Sequence, residues 1–241
     1  MITREQLRAA LEHRRPGVTS DEDWGQLTVI KEYEHLPIEG KTLLDVGGNI
    51  GAFACRAAME KCKKVVTYEP HPDNFHLLCL NTYPWAELVV PVKAALVTHE
   101  EKEVDLWLTN ERTMGSCSTT AFRGRTPIKV PVQNFQLVVY LLQPDGIKMD
   151  CEGSELLAIK GMSRILMENK DLKMIIEFFP LLLEKMGSNP KDLFDILNNR
   201  FKIYIIPNDY DAENGVRVDS YLDLMKHLIK VDSHLNLYLT K

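Results

Sequence analysis

Asp45-Val46-Gly47-Gly48-Asn49-Ile50-Gly51, Glu69 and the carboxylates Asp150, Glu152 and Glu177 have the residue types and spacing to do chemistry. Glycines let backbone approach a ligand that side chains would exclude. Where such a loop opens a helix, free N–H groups add donors and positive potential. A dinucleotide fingerprint, G-x-G-x-x-G, fails here: with Gly48 and Gly51 as its last two glycines, its first position falls on Val46. Asp45 would meet a pyrophosphate with like charge and suits a cationic or zwitterionic ligand better. S-Adenosylmethionine (SAM), with an amino group, a carboxylate, a sulfonium and no phosphate, answers that description. Glu69 can accept hydrogen bonds from both hydroxyls of a ribose, a feature that serves NAD and SAM alike. Asp150, Glu152 and Glu177 can act in three ways. One is general-base chemistry on an acceptor hydroxyl, with Asp150 the first candidate. A second is a divalent metal held by two or three of these groups, which would acidify that hydroxyl. The third is structural: Asp150 and Glu152 would cap the helix that opens at Gly153-Ser154.

These residues need elements that bring them to one crevice. Thr42–Val46 reads as a short buried strand, 47–51 as a tight loop and 52–62 as a helix. Strands at 65–69 and 88–92 follow, with a helix from Pro70 to about Asn81 between them. A β-α-β-α-β order implies a parallel sheet with helices on both faces, and ligands bind at the carboxyl ends of its strands. The rhythm breaks at about 96–132, where strands at 104–108 and 128–132 flank a polar stretch and suggest an insertion near the site. It resumes with strands at 146–150 and 173–178 around a helix at 154–160, then a helix at 190–198, a strand at 201–206, a helix at 219–229 and a strand at 235–239. The last two strands suit an antiparallel edge pair. Residues 1–40 read as a helical extension, on Thr3 and Gln6 as a capping box and on Trp24, Leu27, Ile30 and Tyr33 as a later apolar stripe. The expected architecture is one α/β, doubly wound, Rossmann-like domain over 41–241 with a mostly parallel sheet. The extension before it serves as a lid or a dimer contact.

In family order, Leu44-Asp45-Val46-Gly47-Gly48-Asn49-Ile50-Gly51, Tyr68-Glu69-Pro70-His71-Pro72-Asp73-Asn74-Phe75, Ile147-Lys148-Met149-Asp150-Cys151-Glu152-Gly153-Ser154-Glu155 and Ile175-Ile176-Glu177 resemble the FkbM-type methyltransferases. Gly48 stands where that family often has Ala, and Cys151 where it often has Val. The resemblance implies a class I methyltransferase fold, SAM as methyl donor and a hydroxyl on a small molecule or sugar as acceptor. It implies that Asp45, Gly47, Gly48, Asn49 and Gly51 line the methionine part of SAM, that Glu69 holds the ribose, and that Pro70 and His71 flank ribose and adenine.

Composition narrows the alternatives. The net charge of −5 gives no general pull toward nucleic acid or anionic membrane, and the chain has no clustered basic-aromatic stretch. The five cysteines, Cys55, Cys62, Cys79, Cys117 and Cys151, form no C-x-x-C pair and read as reduced thiols of a cytoplasmic protein. The longest apolar runs, such as 137–142, are too short to span a bilayer. An N-methyltransferase on a small molecule or peptide, an NAD-linked oxidoreductase and a non-catalytic SAM-binding module are the competing readings. Ser116, Ser118, Thr119 and Thr120 are candidates to touch a polar substrate, and Arg112, Arg123 and Arg125 to touch an anionic one. Lys148 either pairs with a carboxylate or projects to solvent.

Overall fold

Short apolar segments that are buried on both faces build the centre of the sheet. In the computed structural model, which describes residues 6, 9, 10, 35–98, 102–107, 127–206, 215–231 and 234–241, the strands are β1 (Thr42–Val46), β2 (Lys64–Tyr68), β3 (Val89–Val92), β4 (Ala95–Val97), β5 (Glu103–Leu106), β6 (Ile128–Asn134), β7 (Gly146–Met149), β8 (Lys173–Phe178), β9 (Lys202–Ile206), β10 (Val216–Val218) and β11 (Leu235–Thr240). The helices are α1 (Ala52–Met59), α2 (Pro72–Thr82), α3 (Phe135–Leu142), α4 (Glu155–Gly161), α5 (Ser163–Glu168), α6 (Pro180–Lys185), α7 (Pro190–Asn198) and α8 (Tyr221–Val231).

An eight-stranded sheet has the order β10-β9-β11-β8-β7-β1-β2-β3. From β3 to β8 every pair is parallel. The chain runs outward from β1 through β2 to β3, then returns to β7 on the other side of β1. That reversal is the switch point where open α/β sheets leave a crevice. The doubly wound architecture expected from sequence is therefore present. The last two predicted strands do pair antiparallel, β11 with β9. They are not the sheet edge, however: β11 is inserted between β8 and β9, antiparallel to both, and β10 forms the antiparallel edge.

Alternation along β1 feeds two cores. Leu44 and Val46 join Phe135, Ile147, Met149, Ile176 and Leu193 on one face. Leu43 joins Leu36, Phe53, Ala54, Val65, Leu78 and Ile175 on the other. Sequence explains the covering helices. The Ala-rich α1 follows Gly51, and α7 opens with Pro190 behind Asn189, whose side chain accepts the Lys191 N–H at 2.9 Å. The α3 helix was not anticipated, because its valines and aromatics favour strands. Asn134 starts it by accepting the Leu137 N–H at 3.0 Å.

Of the N-terminal helical extension, Gln6, Ala9 and Ala10 are helical and Leu36 and Ile38 pack in the second core; the remainder up to residue 34 lies outside the described residues. A separate three-stranded sheet has the order β4-β6-β5, with β4 parallel and β5 antiparallel to β6; the strands expected at 104–108 and 128–132 correspond to β5 and β6. Residues 108–126, which carry Arg112, Ser116, Ser118, Thr119, Thr120, Arg123 and Arg125, lie outside the described residues.

Candidate active site

The sheet register sets Thr67, Asp45 and Lys148 side by side on the three adjacent strands β2, β1 and β7. Asp45 is fully buried, and one of its oxygens accepts from the Thr67 hydroxyl at 2.6 Å. Burial pushes its carboxyl above the usual aspartate range, and Lys148 pulls against that rise. The Lys148 ammonium donates to the Gly47 carbonyl at 2.6 Å and lies 3.6 Å from Asp45 Oδ1 and 3.6 Å from Asp150 Oδ2. Of its two sequence readings, the structure takes pairing: Lys148 is 5% exposed and joins the glycine loop to the end of β7.

The glycine loop turns at the carboxyl end of β1, and the Gly47 and Gly48 N–H groups both donate to the Tyr68 carbonyl. Gly47 has φ +82°, and a Cβ there would stand 1.9 Å from the Asp150 carbonyl oxygen, so no other residue fits. At Gly48 a Cβ would stand 2.2 Å from Thr67 Oγ1, the atom that holds Asp45. Glu69, 4% exposed at the end of β2, accepts the Asn49 N–H at 2.7 Å on one oxygen and the His71 N–H at 2.8 Å on the other. Burial raises its pKa to about 7, against the pull of those two amides. His71 caps α2, its Nδ1 accepting the Asp73 N–H at 3.1 Å.

The ends of β7 and β8 carry the other acids. Asp150 follows β7 with its side chain 42% exposed. Glu152 has a left-handed backbone, φ 55°, unusual for a residue with a side chain. Glu177 lies on β8 with Oε1 3.8 Å from His234 Nε2, and its buried Oε2 has no partner among the described residues. Burial, then repulsion from Asp150, Glu152 and Glu155, holds the Glu177 carboxyl well above the usual range. These acids are thus close enough to repel one another. Among the described residues no three His, Cys, Asp or Glu side chains come together as a metal-holding group. The reason lies in what each faces: Asp150 turns to Lys148 and Glu177 to His234.

One cavity of about 200 Å³ lies between the two ends of this arrangement. Gly47, Asn49, Glu69 and Pro70 line it on the β1–β2 side, Asp150 and Glu152 on the β7 side, and Val97, Asp105 and Leu106 from β4 and β5. The other candidates stand behind this wall. Asp45 is buried in its ladder, Gly48 lies against Thr67, Gly51 opens α1, His71 caps α2, and Glu177 sits beside His234. Sequence reasoning missed three participants. Thr67 had a signal, its place in a strand adjacent to Asp45. Glu155, 1% exposed and accepting the Cys151 N–H at 2.9 Å, reads as an ordinary first-turn helix acid. His234 had none, since only the insertion of β11 beside β8 brings it to the site.

The chain matches known proteins in this region. A profile described as the methyltransferase FkbM domain matches residues 45–204. Over 184 residues, 72% of this chain and 68% of the relative, it is 27% identical to the hexuronic acid methyltransferase AglP of Haloferax volcanii. Among solved structures it is similar to precorrin-6y C5,15-methyltransferase from Geobacter metallireducens GS-15, with TM-score 0.49 and 10% identity over 90% of this chain and 88% of that one. The C-terminal domain of the Rhodobacter capsulatus precorrin-6Y C5,15-methyltransferase gives TM-score 0.49 and 12% identity over 93% and 91%. The family match spans more than half of the chain and includes the glycine loop, Glu69 and the β7 and β8 acids, and the protein is a methyltransferase belonging to the FkbM domain family.

Proposed function

We propose that this enzyme transfers a methyl group from SAM to a hydroxyl of a small molecule, most specifically a saccharide. The observation that carries the reading is that Glu69, at the end of β2, and Asp150, after β7, line one cavity across the switch point of the sheet. The lining chemistry fits SAM. Among the described lining residues there is no Lys, Arg or His, so a pyrophosphate meets no cationic side chain, whereas an ammonium and a sulfonium meet carboxylates. When bound, SAM supplies a methyl group on a sulfonium leaving group. Glu69, already oriented by two amides, accepts from the ribose hydroxyls. Gly47 and Asn49 give backbone approach to the methionine part, with Asp45, Gly48 and Gly51 holding the loop from behind. Pro70 and His71 border the ribose and adenine. Asp150, the exposed member of the Lys148 bridge, takes the acceptor's proton as general base. The AglP relative, named for a hexuronic acid, supports a saccharide acceptor.

Calorimetry with SAM, S-adenosylhomocysteine and NAD tests the cofactor, and Asp150→Asn tests the base. Expected are binding of both SAM compounds and not of NAD, and a fall in turnover of roughly 10²–10⁴-fold in Asp150→Asn with binding intact. Unchanged turnover in that variant removes Asp150 from proton transfer.

A further inference from the structure

We propose that the acceptor is a neutral or aminated sugar and that the site discriminates against uronic acids, setting this enzyme apart from the hexuronic acid methyltransferase it resembles. This inference rests on the saccharide reading above. The acidic side chains on the cavity wall among the described residues are Glu69, Asp105, Asp150 and Glu152, with no described Lys, Arg or His beside them. Lys148, beside Asp150, already faces two carboxylates at 3.6 Å each and donates to a carbonyl at 2.6 Å, and it is buried behind the wall. Lys129 pairs with Asp105 at 2.7 Å, but its side chain is 63% exposed and it does not line the cavity. Behind Asp150 and Glu152 stands Glu177, whose raised carboxyl pKa, owed first to burial and then to Asp150, Glu152 and Glu155, reports the same negative field. Burial lowers the pKa of the neighbouring His234, against the pull of Asp150.

A pyranose is too small to hold its own carboxylate beyond a screening length of about 8 Å while one of its hydroxyls reacts beside Asp150 and Glu152. With the sulfonium and ammonium of SAM already facing carboxylates, a uronate still brings its own carboxylate against Asp105, Asp150 and Glu152, and no described Lys, Arg or His lines the wall to receive it. Replacing that carboxylate with a hydroxymethyl group removes the repulsion, and an amino substituent turns it into attraction. The apolar part of the wall, Leu106, Leu157 and Met186, offers the C–H face of a sugar ring a surface without charge.

The test measures methyl transfer by the full chain, at saturating SAM, to methyl glycosides, methyl uronosides and methyl aminoglycosides matched in the gluco, galacto and manno series. Product is read by mass spectrometry at low and high salt. Expected is a kcat/KM for the uronoside at least about tenfold below its neutral partner, a gap that narrows in high salt. In Glu152→Gln the uronoside gains relative to the neutral sugar. A uronoside equal to or better than its neutral partner overturns the inference and leaves the saccharide reading standing. Failure of every sugar while S-adenosylhomocysteine still binds overturns the saccharide reading and this inference with it. Failure of S-adenosylhomocysteine to bind overturns the cofactor assignment itself.

Discussion

Two carboxylates of the same sheet, the buried Glu69 and the partly buried Glu177, are treated in opposite ways. Glu69, after β2, has an amide N–H on each oxygen, both from residues of adjoining loops. Glu177, on β8, has one oxygen 3.8 Å from His234 and another with no partner among the described residues, and the nearby Glu155 likewise has an oxygen without one. The β1–β2 side is therefore an acceptor already aimed by local backbone, which suits a ligand shared across a family. The β7–β8 side is a set of acids in mutual repulsion, steadied by one lysine. A buried polar atom without a partner is costly, and such atoms gather where a protein keeps reactivity. The comparison separates a carboxylate held by backbone amides from carboxylates that oppose one another.

The strongest way to break that division is to remove the lysine that joins its halves. Lys148→Met strips Asp45 of its cation in full burial, and stability should fall by about 3–5 kcal/mol in urea unfolding. Lys148→Arg should lose less, and equal losses would show that size rather than charge matters at this position. Next comes Glu69→Ala, which leaves two amides unsatisfied and should weaken S-adenosylhomocysteine by about 1–3 kcal/mol, roughly five- to 150-fold. Glu177→Gln, by contrast, should hold that affinity within about twofold, being outside the cavity wall. If calorimetry finds the two variants alike, the halves are not distinct. Gly48→Ala drives a methyl into Thr67 and should cost about 1–3 kcal/mol of stability. Combined with Thr67→Ala the loss should be less than additive, since the clash is with the removed oxygen.

The smallest contrast is read against pH, because several buried carboxyls titrate together and only the Glu69 part is isolated by Glu69→Gln. The folded pKa of Glu69, about 7, stands above its unfolded value of about 4.3. Its contribution to stability is thus complete below about 4.3 and lost as pH rises through about 7. The melting temperature of the free protein should fall from pH 5 to pH 8, less steeply in Glu69→Gln. S-Adenosylhomocysteine should bind more tightly over the same interval, since an ionised carboxylate is the better acceptor. A binding curve flat across pH 7 would take Glu69 away from the ribose.

The β1–β2 half was legible in the sequence because its signals are local. Gly47 to Gly51 follows its strand directly, and Glu69 ends the next one. The acids of β7 and β8 were also visible as residues, and their proximity follows from parallel neighbours in register. What they do to each other was not visible. Lys148 could not be told from a solvated lysine until β1 and β7 were aligned with Asp45 opposite it. His234 comes from a strand inserted out of order, and no spacing in the chain announces such an insertion. The short α5, α6 and β10 fell below any usable period, and α3 was hidden by residues that prefer strands.

The position of β11 bears on how the sheet is completed during synthesis. Residues 235–240 are made late yet lie between β8 and β9, and the register joins Leu237 to Ile176 on one side and Ile205 on the other. Until they emerge, β8 and β9 each expose a row of unpaired backbone groups on an apolar strand, the kind of edge that recruits other chains. Removing Leu235–Thr240 would open two such edges in the middle of the sheet, so loss of this one strand would favour association with other chains before it touched the site.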